Sequence, residues 1–231
     1  TESTCVSTCN PRDGDCRVGS IGLRLPYHQV KIARVDAHGD IIGDASPEEA
    51  GVLCLKGPTV IPGYKQAERN EGAFLDGGWL NSGDLGRIDK DGYVWLTGRA
   101  KDLIIRSGHN IDPGLIEEVL SKHDQVELVA AVGQPDTYAG EVPVAYVTLR
   151  QGASVTCNEL ESYARGAVAE RPAAPKAVRI LDEMPVTAVG KIFKPRLREH
   201  AAECAARAAL NAIGHIGVQV IARTDKQIGL V

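Results

Sequence analysis

Short apolar runs alternate with turn-forming residues in the first part of the chain. Residues 29–35 and residues 51–55 are two such runs, and the polar, glycine-containing residues 36–40 follow the first of them. Short runs separated by turns at this spacing are typical of antiparallel strands. The pattern therefore predicts a small antiparallel β unit, preceded at residues 3–17 by a polar stretch without periodicity that we interpret as a loop.

The next pattern predicts a β-hairpin. Residues 91–92 are Asp-Gly, and they lie between residues 86–89 and residues 93–96, which would form the two antiparallel strands. Glycine suits a tight turn that needs a positive φ. Such a hairpin would bring Asp84 and Arg99, at its outer ends, close together. A carboxylate beside a guanidinium can hydrogen-bond vicinal hydroxyls such as those of a ribose, but a simple structural ion pair is an equally good interpretation.

Beyond residue 98 the pattern changes to mixed helix and strand. A glycine loop at residues 106–110 leads through Asp112, a good N-cap, and Pro113 into a helix. Thr156 and Glu159 form a capping box. Helices are expected near residues 113–120, 157–168 and 195–210, strands near residues 126–132, 142–149 and 177–181, and two more strands at residues 217–223 and 227–231 around a turn at 224–226. This order predicts a compact α+β domain.

Composition limits the class of protein. The 231 residues are 43% hydrophobic and 24% charged, enough for a buried core, and the net charge of −4 argues against a nucleic-acid partner that needs a broad basic surface. Neither a signal peptide nor an apolar run near 18 residues is present, so we expect a soluble, cytoplasmic protein without a transmembrane segment. The six cysteines are too scattered for a zinc pattern, which favours free thiols over a disulfide or metal cluster.

Four motifs in a fixed order make the chain resemble a known family. They are Trp-Leu-Asn-Ser-Gly-Asp-Leu at residues 79–85, Gly-Arg-Ala-Lys-Asp at 98–102, Gly-His-Asn-Ile-Asp-Pro at 108–113 and Pro-Val-Thr-Ala-Val-Gly-Lys at 185–191. Together they resemble the AMP-forming acyl-CoA synthetases and adenylation domains. The resemblance implies a β-barrel-like subdomain at residues 1–97, a hinge and glycine loop at 98–112, and a mobile α+β C-terminal domain at 113–231.

The resemblance also implies roles for particular residues. Lys191 would stabilise the negative charge of the adenylation transition state, and Asp84 and Arg99 would bind the nucleotide. Asp102 would be the hinge. The remaining implied residues are Gly108 and His109 for the CoA pantetheine channel, Thr1 for the nucleotide phosphate, and Glu2 for Mg²⁺.

A two-step reaction follows from this resemblance. A carboxylic acid and ATP would give acyl-AMP and pyrophosphate, after which the thiol of CoA would displace AMP while the C-terminal domain swings. The chain begins at Thr1 and its single methionine is Met184, so we expect it to be part of a longer enzyme, with the phosphate loop and most of the acyl pocket in a missing N-terminal part. We therefore expect the chain alone to be inactive.

Several alternatives stay open at this point. The acyl acceptor could be a carrier-protein pantetheine instead of CoA, or the chain could be a non-catalytic interaction module. His109 could be a base instead of a channel residue, Lys191 could be a solvated loop lysine, and residues 57–64 could be an ordinary Gly/Pro turn instead of a loop near the active site. Fatty, aromatic and small acids all remain possible substrates.

Overall fold

The computed structural model describes residues 2–4, 6–35, 41–215, 217–225 and 229–230. The chain divides into two compact units, Thr1–Lys101 and Asp102–Val231. The boundary between the units falls within residues 98–112, the segment that carries the second and third motifs. Among the described residues, no helix is long and apolar enough to cross a membrane.

The first unit is built on an antiparallel sheet of six strands. The strands are β3 (Gln29–Val35), β4 (Ile41–Asp44), β5 (Gly51–Lys56), β6 (Phe74–Leu75), β7 (Trp79–Ile88) and β8 (Val94–Arg99). β7 lies inside the sheet and pairs with β5 along one side and with β6 and β8 along the other, while β3 and β4 extend the sheet beyond β5. No pairing of the described strands closes this sheet into a barrel, so the predicted antiparallel β unit is confirmed as an open sheet.

The loop predicted for residues 3–17 contains a short strand, so that prediction is wrong in part. β1 (Thr8–Cys9) pairs with β2 (Leu23–Arg24), and two residues are too few to show alternation in the sequence. Gly22 allows the backbone before β2 to lie directly against β1, because a Cβ at this glycine would lie 2.1 Å from the backbone carbonyl carbon of Cys9. Only a glycine fits at this point without moving the strand.

Alternation along the strands builds the core of the first unit. Ile32, Leu53, Leu55 and Val94 are buried together, and Val30 and Ile88 pack against them. Neighbouring residues on each strand point to opposite faces, so the apolar positions of three strands meet on one face. Burial of this face stabilises the sheet that carries Asp84 and Arg99.

The second unit has helices on both faces of a five-stranded mixed sheet. The elements are β9 (Ile104–Arg106), β10 (His109–Ile111), α1 (Pro113–Ser121), β11 (Val126–Asp136), β12 (Gly140–Leu149), α2 (Cys157–Ala167), β13 (Ala177–Ile180) and α3 (Lys194–Ala212). β12 lies at the centre of the sheet, with β11 antiparallel along one side and with β13 (parallel) and β9 (antiparallel) along the other, and β10 pairs with β9. The predicted α+β class is confirmed.

Each face of β12 packs against different helices. Ala145 and Val147 join the cluster of α1 and α2, which includes Ile116 and Leu160. Val144 and Tyr146 face the other way, toward Leu197 and Ala201 of α3. Because both faces are covered, β12 is apolar almost throughout and does not alternate in the sequence.

The predicted helix starts are confirmed. The side chain of Asp112 accepts a hydrogen bond from the backbone N–H of Gly114 at 2.8 Å, with Pro113 at the first helical position. Thr156 and Glu159 form the complete capping box of α2. These caps satisfy backbone N–H groups that have no partner inside the helix.

The end of the chain differs from the prediction. Residues 217–223 form no strand, whereas Thr224–Asp225 (β14), expected in a turn, pairs with Gly229–Leu230 (β15). Glu203 of α3 accepts a hydrogen bond from the N–H of Ala222 at 3.1 Å, and Glu199 accepts one from the N–H of Thr224 at 3.0 Å. Glutamates of a helix thus bind one backbone N–H that the prediction assigned to a strand, that of Ala222, and one that it assigned to a turn, that of Thr224. The other residues predicted for the last strand lie outside the described residues.

Candidate functional site

Asp84 and Arg99 face each other across the hairpin of β7 and β8. They are direct partners in the strand register, and Arg99 Nε donates to Asp84 Oδ1 at 2.9 Å. Gly92 adopts a φ of +88° in the turn between the strands, as the sequence predicts. The Arg99 side chain is 65% exposed and the Asp84 side chain 29% exposed, so the pair is accessible to a ligand.

A bulge in β7 presents Asp84 at this position. The register between β5 and β7 shifts beside Asn81, and Gly83 adopts a φ of +72°. The side chain of Asn81 accepts from the N–H of Gly83 at 2.9 Å, and the Ser82 hydroxyl accepts from the N–H of Asp84 at 3.1 Å while it donates to the carbonyl of Leu53 at 2.7 Å. Sequence analysis missed the roles of Asn81 and Ser82, although Asn and Ser just before a glycine are typical of side-chain-supported turns.

Glu2 contacts the loop at residues 57–64. Tyr64 donates from its hydroxyl to Glu2 Oε1 at 2.7 Å, and the N–H of Ile61 donates to the Glu2 carbonyl at 2.8 Å. The Tyr64 hydrogen bond lowers the pKa of Glu2 below its ordinary value, because it stabilises the ionised carboxylate. Thr1, predicted beside the phosphate, lies outside the described residues.

The described residues could supply Mg²⁺ with few ligands. Nowhere in the described part of the chain do three acidic, histidine or cysteine side chains gather as a metal site. Mg²⁺ is often held by one or two carboxylates and otherwise by substrate phosphates and water. An ionised Glu2 fits the role of a single carboxylate ligand and no larger role.

Asp102, the predicted hinge residue, is the first residue of the second unit. It ends a short 3₁₀ turn, Ala100–Asp102, and its carboxylate forms an ion pair with Arg198 of α3. A second ion pair, Lys194 Nζ to Glu117 Oε1 at 2.8 Å, joins the first turn of α3 to α1. The N-terminal half of α3 therefore forms ion pairs with Asp102, at the unit boundary, and with α1.

Gly108 and His109 lie in a tight hairpin within the segment predicted as a glycine loop. Ser107 and Gly108 have φ values of +50° and +82°, and they connect β9 to β10. The N–H of Ser107 donates to the carbonyl of Ala139 at 2.7 Å, which anchors the hairpin to the turn between β11 and β12. A Cβ at Gly108 would meet nothing within 4 Å, and His109 is exposed, so the tip is open to a ligand.

Lys191 is exposed on a second small hairpin, which runs from residue 185 to residue 193. Val186 and Ile192 form an antiparallel bridge, and Thr187 and Lys191 bond to each other below a three-residue turn. Gly190 has a φ of +78° and closes the turn, a position that favours glycine.

These residues are distributed over both units of the chain. Asp84 and Arg99 lie together in the first unit, which also contains Glu2. Asp102, the Gly108 hairpin and Lys191 lie in the second unit. In the part of that unit that the structure describes, no hydrogen bond or ion pair joins the Gly108 hairpin to Lys191.

The fold and motifs define the class of protein. Residues 115–191 match the AMP-binding enzyme C-terminal domain family. These residues run from α1 to the exposed Lys191. The chain carries this domain at residues 115–191, so the resemblance inferred from the four motifs is confirmed.

Particular relatives are acid–CoA ligases. A marinolic acid–CoA ligase of a Pseudoalteromonas strain is 51% identical over 86% of this chain and 30% of its own length. A long-chain-fatty-acid–CoA ligase of Bacillus subtilis is 37% identical over 87% of this chain and 35% of its own length. The chain thus spans about a third of the length of these curated relatives.

Solved structures share the fold. The ATP-bound MatB of Rhodopseudomonas palustris superimposes with a TM-score of 0.77 at 32% identity, covering 87% of this chain and 39% of that one. The B. subtilis o-succinylbenzoate CoA synthetase, in complex with its acyl-adenylate, gives a TM-score of 0.70 at 34% identity over 79% of this chain and 36% of that one.

Proposed function

We propose that the chain is the C-terminal part of an ATP-dependent, AMP-forming acyl-CoA synthetase. The observation that carries this proposal is the domain family match at residues 115–191 together with the exposed Asp84–Arg99 pair and the exposed Lys191 at their motif positions. Relatives named as acid–CoA ligases support it. The longer enzyme expected to contain this chain is called the parent protein below.

In the first half-reaction, a carboxylate oxygen attacks the α-phosphorus of ATP, acyl-AMP forms and pyrophosphate leaves. Asp84 accepts hydrogen bonds from the ribose hydroxyls of the nucleotide, and Arg99 keeps that carboxylate oriented through the 2.9 Å contact. When bound, Mg²⁺ would neutralise phosphate charge, with Glu2 as one of its ligands. Lys191 donates to oxygens that become more negative in the transition state, which lowers the barrier.

In the second half-reaction, the CoA sulfur attacks the acyl carbonyl carbon and AMP leaves. Gly108 has no side chain at the open tip of its hairpin, so a slender pantetheine can pass it, and His109 lines the same channel. Rotation about Asp102 exchanges the Lys191 hairpin for the Gly108 hairpin. A few backbone dihedrals at an element end can absorb such a motion, and Asp102 ends a 3₁₀ turn.

The test is pyrophosphate release by the parent protein with a panel of fatty, aromatic and small carboxylic acids, with and without CoA. We expect acid-dependent release, with thioester formed only when CoA is present. Release without any CoA thioester would favour a carrier-protein acceptor, and no release with any acid would contradict the proposal. The isolated chain should form no acyl-AMP, because residues for the phosphates and the acyl group are expected upstream.

A further inference from the structure

We propose that Thr187 is a positioning residue that holds Lys191 in place for adenylation. This inference rests on the proposed function of Lys191. It comes from the hydrogen bonds inside the 185–193 hairpin, in which one side chain, that of Thr187, bonds directly to the backbone of the lysine.

Thr187 and Lys191 are joined by two hydrogen bonds in opposite directions. The N–H of Thr187 donates to the carbonyl of Lys191 at 2.7 Å. The N–H of Lys191 donates to the hydroxyl oxygen of Thr187 at 3.2 Å. In a regular hydrogen-bonded pair of antiparallel strands, the backbone carbonyl of Thr187 would accept the N–H of Lys191, and here the Thr187 hydroxyl oxygen accepts it instead.

The carbonyl of Thr187 is already used by the turn. It accepts the N–H of Gly190 at 2.8 Å, and Gly190 follows in the left-handed region, as in hairpins with a three-residue loop. The Thr187 hydroxyl therefore gives the Lys191 N–H a partner after the turn has used the carbonyl. It fixes the backbone from which the lysine side chain extends.

The rest of the hairpin leaves the tip exposed. The N–H of Phe193 donates to the carbonyl of Pro185 at 2.8 Å at the base of the hairpin, whereas Val189 at the tip is 80% exposed. No buried side chain therefore holds the tip, and its geometry depends on the hydrogen bonds around Thr187. A long flexible lysine loses less conformational freedom on binding when its backbone is already ordered.

The test compares Thr187→Val, which removes the hydroxyl at nearly constant shape, with Thr187→Ser, which keeps it. The net free energy of an ordinary hydrogen bond corresponds to a change of about two- to tenfold in a rate or equilibrium constant. In the parent protein, we expect Thr187→Val to lower kcat for acyl-AMP formation by about this factor, with KM for ATP and thioester formation from supplied acyl-AMP unchanged. Thr187→Ser should restore the rate.

A second readout needs no activity. In this chain itself, amide hydrogen exchange at Lys191 should be about two- to tenfold faster in Thr187→Val than in wild type, and Thr187→Ser should restore protection. Thr156→Val is the matched control, because it removes a hydroxyl from the α2 cap and should change neither Lys191 exchange nor the rate of acyl-AMP formation.

The outcomes separate the two proposals. A parent protein without acid-dependent pyrophosphate release would overturn the proposed function and this inference with it. An active parent in which Lys191→Ala abolishes adenylation, but Thr187→Val matches wild type in kcat or in Lys191 exchange, would overturn this inference alone. Equal loss of both half-reactions in Thr187→Val would also overturn it, since it would indicate a general structural defect.

Discussion

Replacement of Asp84 by alanine separates the ligand-binding interpretation of the Asp84–Arg99 pair from the purely structural one. An ion pair with one partner 65% exposed contributes about 0.2–1 kcal/mol to stability. A hydrogen bond from a ribose hydroxyl to a charged carboxylate contributes about 1.5–3 kcal/mol. Loss of one such bond should therefore weaken ATP binding by about 10- to 150-fold, with a small loss of stability.

The assay is isothermal titration calorimetry of ATP with the parent protein, together with denaturant unfolding of the isolated chain. Asp44→Ala is the matched control, because Asp44 forms an exposed ion pair with Lys31 at 2.7 Å on the same sheet. This control should lose a similar small amount of stability and keep full ATP affinity. If Asp84→Ala also kept full ATP affinity, the structural interpretation would stand and the nucleotide role would be refuted.

Two further predictions concern titration and thiol reactivity. The Lys176 ammonium and two backbone N–H groups lower the pKa of Asp136 to about 2. The stability that this carboxylate contributes is therefore complete above its ordinary pKa of 3.8 and is lost as pH falls toward 2. The difference in thermal midpoint between wild type and Asp136→Asn should shrink over that range, and a constant difference would contradict the assignment. Burial raises the pKa of the Cys54 thiol to about 11. Cys54 should therefore resist alkylation by iodoacetamide in the folded chain, while the exposed Cys9 is alkylated. Equal alkylation rates of the two cysteines, measured by peptide mass spectrometry, would be incompatible with a buried Cys54 thiol.

Local signals predicted much of the fold. The Asp-Gly turn at residues 91–92 predicted the β7–β8 hairpin and with it the Asp84–Arg99 contact, because the turn sets the register of the two strands. The caps at Asp112 and Thr156 also predicted the starts of their helices, because each cap involves only neighbours within three residues.

Features that depend on distant partners could not be predicted in this way. β1 exists because β2 lies beside it, and the strand expected at residues 217–223 is absent where glutamates of α3 bind the tail at Ala222 and Thr224. The ion pair of Asp102 with Arg198 joins residues 96 positions apart. No local pattern encodes such a contact, and the motifs alone did not indicate it.

The division of the two half-reactions between the hairpins is the central claim, and the Lys191→Ala variant of the parent protein tests it most directly. Lys191 is exposed, so its removal should not affect folding, and Lys122→Ala, at an exposed lysine of α1's C-cap, is the matched control. We predict that Lys191→Ala abolishes acyl-AMP formation but forms thioester from supplied acyl-AMP and CoA at the wild-type rate. Equal loss of both half-reactions would contradict the account.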